Sequence, residues 1–262
     1  FTQDDAHIFC TPDQVTDEID DTVGFAIDVL QDCGFEDFKF ELSVRDPKDP
    51  GKYAGSPEEW DHAEKALEEA LGRRGIEAKR MEGEAVFYGP KIDIKVVDAI
   101  GRSWQLTTVQ FDFNLAKRFD ITYVAAGGER KQVVMVHRAL LGSVERFVGI
   151  LTEHFAGAFP LWLAPVQMTV LPVSPAQADY AKKVLERLLE AGLRAEIDAR
   201  DEKIGYRIRE AELQKVPYML IVGDREAQAG TVAVRAHAKG DLGTRELTDF
   251  VGEVVDEAES KR

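Results

Sequence analysis

Phe159-Pro160-Leu161-Trp162-Leu163-Ala164-Pro165 divides the chain into two grammars. Two prolines bracketing a short apolar run fit neither a helical nor a strand period, so 161–165 reads as a linker between domains at 1–160 and 166–262. After it, strand and helix patterns alternate: strand 166–172, helix 175–191, strand 194–198, helix 204–215, strand 218–222. A strand at 230–235 and a helix at 244–258 follow. Such alternation with short connections predicts a small α/β domain, a mixed sheet with parallel pairs and helices across it. Before the break the pattern is different. A helix after Thr11-Pro12 carries Val15, Ile19, Val23, Ala26, Ile27 and Leu30 inward, and Phe38, Phe40, Leu42 and Val44 alternate with polar residues. Ser56-Pro57-Glu58-Glu59 is a capping box, opening a helix with Trp60, Ala63, Leu67, Ala70 and Leu71 on one face. Ile92, Ile94 and Val96 alternate with Asp93 and Lys95 before a turn near Gly101, and a long strand returns from Trp104 to Phe113. A last helix is expected from about Ala139 to His154, with Leu140, Leu141, Val144, Phe147, Val148 and Leu151 inward. Hairpins of this kind predict an α+β domain on a mostly antiparallel sheet.

The chain has 262 residues, 44% apolar and 31% charged, enough for a real core in one large or two modest domains. No apolar run reaches the length of a membrane span, and no signal-peptide pattern opens the chain, so a cytoplasmic protein is expected. Cys10 and Cys33 are too few for a disulfide framework, which fits a reducing compartment. Phe1 falls inside what reads as a strand, so the chain is expected to be part of a longer protein. The formal net charge of -15 speaks against phosphate contacts. Its distribution softens that exclusion, because residues 166–262 hold 15 basic and 18 acidic side chains. A nearly balanced domain can still present a local basic face.

Several residues could carry chemistry. Gln3, Asp5 and His7 are two apart, so they share a strand face, with Ala6, Ile8 and Cys10 on the other. An amide, a carboxylate and an imidazole in one row make either a small polar ligand site or a solvated strand face. Cys10, of opposite parity, does not share metal ligation with His7. His137 stands at a helix entrance, structural or ligating; with His7 it supplies two of the three protein ligands that a catalytic zinc site takes. His62, His154 and His237 lack persuasive spacing for the third. Tyr88-Gly89-Pro90-Lys91 interrupts an apolar stretch with a turn and a cation. Gln105, Thr107, Thr108 and Gln110 place unusual polarity on a strand. Strict alternation sets Gln105 opposite to Thr108 and Gln110, so the three share a pocket only if a bulge intervenes.

The runs Phe1–His7, Phe87–Ile92, Thr108–Phe113 and His137–Phe147 resemble the threonyl-tRNA synthetase family of class II aminoacyl-tRNA synthetases, and Trp162 to Gln167 matches at the domain junction. The resemblance covers almost the whole chain. It implies the C-terminal part of a class II catalytic domain followed by an anticodon-binding domain, an ATP-dependent ligase that forms threonyl-adenylate and passes the threonyl group to threonine tRNA. Phe1 onward resembles the second strand of motif 2. Gly142-Ser143-Val144-Glu145-Arg146 resembles motif 3, which puts Arg146 on ATP phosphate, with Mg2+ accompanying the ATP. His7 and His137 resemble two family zinc ligands, the third being an upstream cysteine. The resemblance further implies Asp5 on the threonine hydroxyl, with Gln3, Tyr88 and Gln110 lining the amino-acid pocket. Lys91 would sit on the carboxylate and α-phosphate, and Gln105, Thr108 and Ser143 would face adenosine and its phosphate. In the second domain Asp201, Glu226 and Arg235 would read anticodon bases, with Lys203 and Arg207 on phosphates. The family can carry Asn where this chain has Asp201, which removes an amide donor. Motif 1, which builds the family's homodimer, and any editing domain would lie upstream.

Two readings follow. One is the ligase, of which this chain is the C-terminal portion and not expected to act alone. The other is a non-catalytic tRNA- or partner-binding fragment or paralogue using only the second domain. The presence of Gln3, Asp5, His7, Lys91, His137 and Arg146 favours the first, because a binding relic has no use for them.

Overall fold

A computed structural model describes residues 1–261 as two compact units, 1–154 and 155–262 apart from its last residue. Among the described residues no helix is long and apolar enough to cross a membrane.

The first unit runs β1 (Ala6–Cys10), α1 (Val15–Asp32), β2 (Phe38–Val44), α2 (Pro57–Arg73), β3 (Ala78–Glu82), β4 (Lys91–Val97), β5 (Ser103–Asp112), α3 (Leu115–Arg118), β6 (Thr122–Val124), β7 (Arg130–Gln132), β8 (Val134–Ala139) and α4 (Val144–His154). Its main sheet has the order β1-β8-β5-β4-β2-β3 and is antiparallel except for the β2–β3 pair, while β6 and β7 form a small ribbon. The expected α+β architecture is present. Helices α1 and α2 pack on each other and on this sheet. Val15, Ile19, Val23, Ala26 and Leu30 of α1, with Trp60, Ala63, Leu67 and Ala70 of α2, are buried beside Ile92, Ile94, Val109, Phe111 and Val136. Burial of each large side chain is worth about 1.5–3 kcal/mol. That face of the sheet is filled by apolar residues, which leaves the opposite face to polar ones. The capping box at Ser56 and Glu59 forms as its spacing demands.

Three expectations in this unit are corrected. Helix α1 begins at Val15 rather than beside Pro12, since Gln14, at the N-cap, turns its Oε1 back to the Thr11 N–H at 3.0 Å. The expected helix from Ala139 begins only at Val144, because residues 134–139 form β8 and Gly142 adopts φ +65. That turn is held by Asp4, whose carboxylate accepts the Leu140 and Leu141 N–H groups at 2.9 and 3.0 Å. Val148, expected inside, is exposed.

The second unit runs β9 (Met168–Pro172), α5 (Ala178–Glu190), β10 (Ala195–Ile197), α6 (Ile204–Leu213), β11 (Tyr218–Val222), α7 (Asp224–Ala229), β12 (Thr231–Ala236), β13 (Gly240–Glu246) and α8 (Leu247–Glu259). Its sheet order is β10-β9-β11-β12-β13, with β9 parallel to β10 and β11 and the last two pairings antiparallel. Val170, Leu220, Val232 and Val234 face α5 and α8, while Leu171 and Met219 face α6. Strand β13 occupies ground that the sequence assigned partly to the last helix; its exposed residues give no alternation to read. The stretch expected as a linker packs on this unit. Leu161 joins its core, and Arg194 donates to the carbonyls of Ala164 and Trp162 at 3.0 and 2.7 Å.

Candidate active site

Sheet register builds the site. His7 of β1 lies opposite His137 of β8, His137 opposite Gln110 of β5, and Gln110 opposite Lys91 of β4. Directly opposed residues project to the same side of a sheet. Four polar side chains from four strands thus form one row on the face that the helices leave open. The His7 and His137 rings meet edge to face with centroids 4.4 Å apart. Cys10 pairs with Val134 and is buried on the other face. Burial first, then the carboxylates of Glu18 and Asp13, push its thiol up to about 11.

The second row depends on an irregularity. Asp93 pairs with Thr108 and Ile94 with Thr107, yet Lys95 pairs with Gln105, so Leu106 is an extra residue in β5. This is the bulge that the Gln105, Thr108 and Gln110 spacing required. Gln105 now turns to the same side as Thr108 and donates to its Oγ1 at 3.0 Å. Both also donate to Asp93 Oδ1, at 2.8 and 2.7 Å, while Lys91 Nζ binds Asp93 Oδ2 at 2.6 Å. Asp93, on the face opposite Ile92 and Ile94, is buried. Its burial is tolerable because an ammonium and two neutral donors satisfy it.

These rows floor an open cavity of about 560 Å³. Gln3, Asp5, Tyr88, Gln110 and His137 line it towards the first row, and Gln105, Thr108, Ser143 and Arg146 towards the second. His7 and Lys91 stand beside the lining, each next to a residue that belongs to it. Residues 1–5 precede β1 and are pinned from the far side, where Thr2 N–H donates to Glu145 at 2.9 Å and its carbonyl accepts from Val144 at 2.9 Å. The main-chain N–H of Glu145 itself first, then the Thr2 N–H and Ser143 Oγ, hold the Glu145 carboxyl at about 2. Tyr88 precedes Gly89, where a Cβ would come within 1.9 Å of the Phe111 carbonyl oxygen, so only glycine lets this turn lie on β5. Burial, and after it the Asp112 charge, raise the Tyr88 hydroxyl. Arg146 donates to the Gln105 carbonyl at 2.6 Å and lies over the Trp104 ring, its guanidinium at the cavity edge. Among the described residues no group of three or more His, Cys, Asp or Glu is placed to hold a metal ion.

Of the five residues expected at RNA, Asp201 and Lys203 are exposed and Glu226 and Arg235 half-buried, whereas Arg207 is closed off. Arg207 is buried, and its guanidinium is spent on the carbonyls of Pro172, Asp198 and Glu202 at 2.7, 2.7 and 3.1 Å. It ties the ends of β9 and β10 to α6, and no phosphate can reach it. Asp201 and Lys203 are exposed after β10, and Glu226 follows β11, beyond the carboxyl ends of these parallel strands. Glu226 Oε2 accepts the Gly223 N–H at 2.9 Å, so its position is fixed. Arg235 pairs with Met219, near the other end of β11, and its buried Nε has no protein partner.

Two of the buried carboxylates in the first unit, Asp93 and Asp112, stand beside the site and went unread. Asp93 could have been suspected from Lys91 two residues earlier on the same face. Asp112 carried no signal beyond its polarity, since its partners belong to α3 and β8.

Residues 1–155 match the family model for the tRNA synthetase class II core domain (G, H, P, S and T), and residues 167–257 match that for the anticodon binding domain. A threonine–tRNA ligase of Acidobacterium capsulatum is 58% identical over 252 residues, covering 96% of this chain and 37% of that protein. One from Aquifex aeolicus is 51% identical, covering 100% of the chain and 40% of that protein. The chain thus spans about two fifths of the length of these relatives. Among solved structures, the RNA binding domain of threonyl-tRNA synthetase from Cryptosporidium parvum superposes with a TM-score of 0.90 at 36% identity, over 98% of this chain and 64% of that one. The putative threonyl-tRNA synthetase ThrRS-1 from Aeropyrum pernix gives 0.82 at 32% identity, over 100% and 64%.

Proposed function

The chain belongs to the class II tRNA synthetase core family, with an anticodon binding domain behind the core, and on that premise we propose that the protein containing it is a threonine–tRNA ligase. It joins threonine to ATP as threonyl-adenylate, releasing pyrophosphate, and then transfers the threonyl group to the 3′ end of threonine tRNA. One observation carries the reading. The polar face of β5 runs from Gln110 through Thr108 to Gln105 along a single cavity, about 15 Å at the rise of a strand. That length suits an amino acid joined end to end with a nucleotide.

In this assignment Gln3, Asp5, Tyr88 and Gln110 hold threonine, Asp5 accepting its hydroxyl hydrogen. Gln105, Thr108 and Ser143 hold the adenosine side. Arg146 meets ATP phosphate, which arrives with Mg2+. Lys91 stabilises the carboxylate and α-phosphate as charge moves between them. Its pairing with Asp93 fixes where its ammonium starts. His7 and His137 fit a zinc site as far as this chain provides one, being two adjacent imidazoles on the open face with a third donor to come from elsewhere in the protein. Bound there, zinc would act as a Lewis acid for the threonine amino and hydroxyl groups, which valine cannot match. Asp201, Lys203, Glu226 and Arg235 are assigned to the tRNA anticodon. For the whole protein we take a cytoplasmic homodimer, on the family resemblance.

The test is amino-acid-dependent pyrophosphate exchange by the full-length protein. Threonine should support it, Arg146→Ala should reduce it by about 100-fold or more, and Asp5→Asn should lower the threonine-to-valine ratio more than it raises the ATP KM. Exchange driven equally by other amino acids, or near-normal in Arg146→Ala, sinks the assignment.

A further inference from the structure

We propose that Asp112 is a positioning residue that fixes His137 as its Nε2–H tautomer and so presents Nδ1 as the lone pair for a metal cation. The inference rests on the proposed zinc site and adds a residue to it.

Asp112 ends β5 and is fully buried, yet every side of its carboxylate is taken. Oδ1 accepts the N–H groups of Asn114 and Leu115 at 2.7 and 2.9 Å. These are main-chain donors at the entrance to α3, so the carboxylate cannot swing. Oδ2 lies 2.8 Å from His137 Nε2. A carboxylate oriented by two main-chain donors offers only an acceptor at its other oxygen, and the nitrogen facing it must carry the hydrogen. In neutral His137 the lone pair is then on Nδ1. The ring lines the cavity and stands against His7. The histidine is therefore set before any metal arrives, both in ring orientation and in tautomer, and the charge behind it strengthens Nδ1 as a donor.

Two substitutions separate this from a structural role. Alanine removes the acceptor and leaves both tautomers open. Asparagine is nearly isosteric, but its single oxygen is claimed by the Asn114 and Leu115 N–H groups. Its NH2 then faces Nε2 and enforces the opposite tautomer, with the hydrogen on Nδ1. Zinc affinity of the full-length protein, measured by competition with a chelator, should fall about 10–100-fold in Asp112→Ala and at least as far in Asp112→Asn, although Asn preserves more of the packing. Wild-type affinity in a folded Asp112→Asn protein overturns the proposal, whereas a wild type that binds no zinc overturns the metal site itself. If neither variant folds, histidine ring 13C and 15N shifts in metal-free wild type decide it, since a His137 hydrogen on Nδ1 refutes the assignment.

Discussion

Asp93 is the residue on which the second row depends, and its removal has a calculable cost. Its side chain is 4% exposed and binds Lys91, whose side chain is 17% exposed. Breaking a buried ion pair from one side costs about 3–5 kcal/mol, and the residual hydration of Lys91 places Asp93→Ala near the lower end, about 3 kcal/mol. Asp93→Asn should cost much less. Its oxygen can still accept from Lys91, while its NH2 donates to a rotated Thr108 hydroxyl and a flipped Gln105 amide. Only the charge assistance is lost, about 1 kcal/mol. For a domain of this size the two variants should melt roughly 6–12 °C and 2–4 °C below wild type. Urea denaturation followed by the fluorescence of Trp60 and Trp104, both in the first unit, gives the free energies directly. An Asp93→Ala protein within about 0.5 kcal/mol of wild type refutes the claim that this carboxylate organises the row. Asparagine as costly as alanine refutes the exchange of donors and acceptors.

Gly89→Ala should lower stability by about 1–3 kcal/mol or more, because the new methyl meets the Phe111 carbonyl rather than a movable side chain; chemical denaturation measures it. Arg207→Ala should cost roughly 3 kcal/mol by stranding carbonyls at the ends of β9 and β10, yet leave the salt dependence of tRNA binding unchanged, whereas Lys203→Ala should make that slope shallower. Glu145 has its carboxyl lowered from 4.5 to about 2 in the folded protein. A depressed carboxyl stabilises fully above its unfolded value and loses that contribution as pH falls through the folded one. The melting advantage of wild type over Glu145→Gln should accordingly be constant above pH 5 and vanish between about 4.5 and 2 in thermal scans.

Much of the site was legible because strand parity is a local property. Gln3, Asp5 and His7 were grouped from spacing as one strand face, although β1 begins only at Ala6 and the first two reach the cavity from the segment before it, and the polar pattern of β5 made a bulge a condition for a shared pocket. Register was not legible, since the His7–His137 pairing joins segments far apart in the chain. The burial of Asp93 was not legible for a related reason: alternation tells which face a residue occupies, not whether neighbours cover that face. Gly142 misled the helix boundary, because the apolar spacing of Leu140 and Leu141 continues across a turn that only backbone conformation reveals. Arg207 failed as a phosphate ligand because a charge in sequence gives no warning that carbonyls surround it.

The pairing that closes the sheet also sets a schedule. Among the described residues strand β1 has β8 as its only neighbour in the sheet, and Ala6 aligns with Arg138. On a ribosome adding ~5–20 residues per second, roughly 130 residues must follow β1 before its partner exists, a wait on the order of ten seconds. The strands β2 to β5 have one another during that interval. Both β1 and the free edge of β5 remain unsatisfied, and unpaired edges invite association with other chains. Substitutions that weaken β8 should therefore be felt first in the yield of soluble protein during synthesis, before any loss appears in molecules that have finished folding.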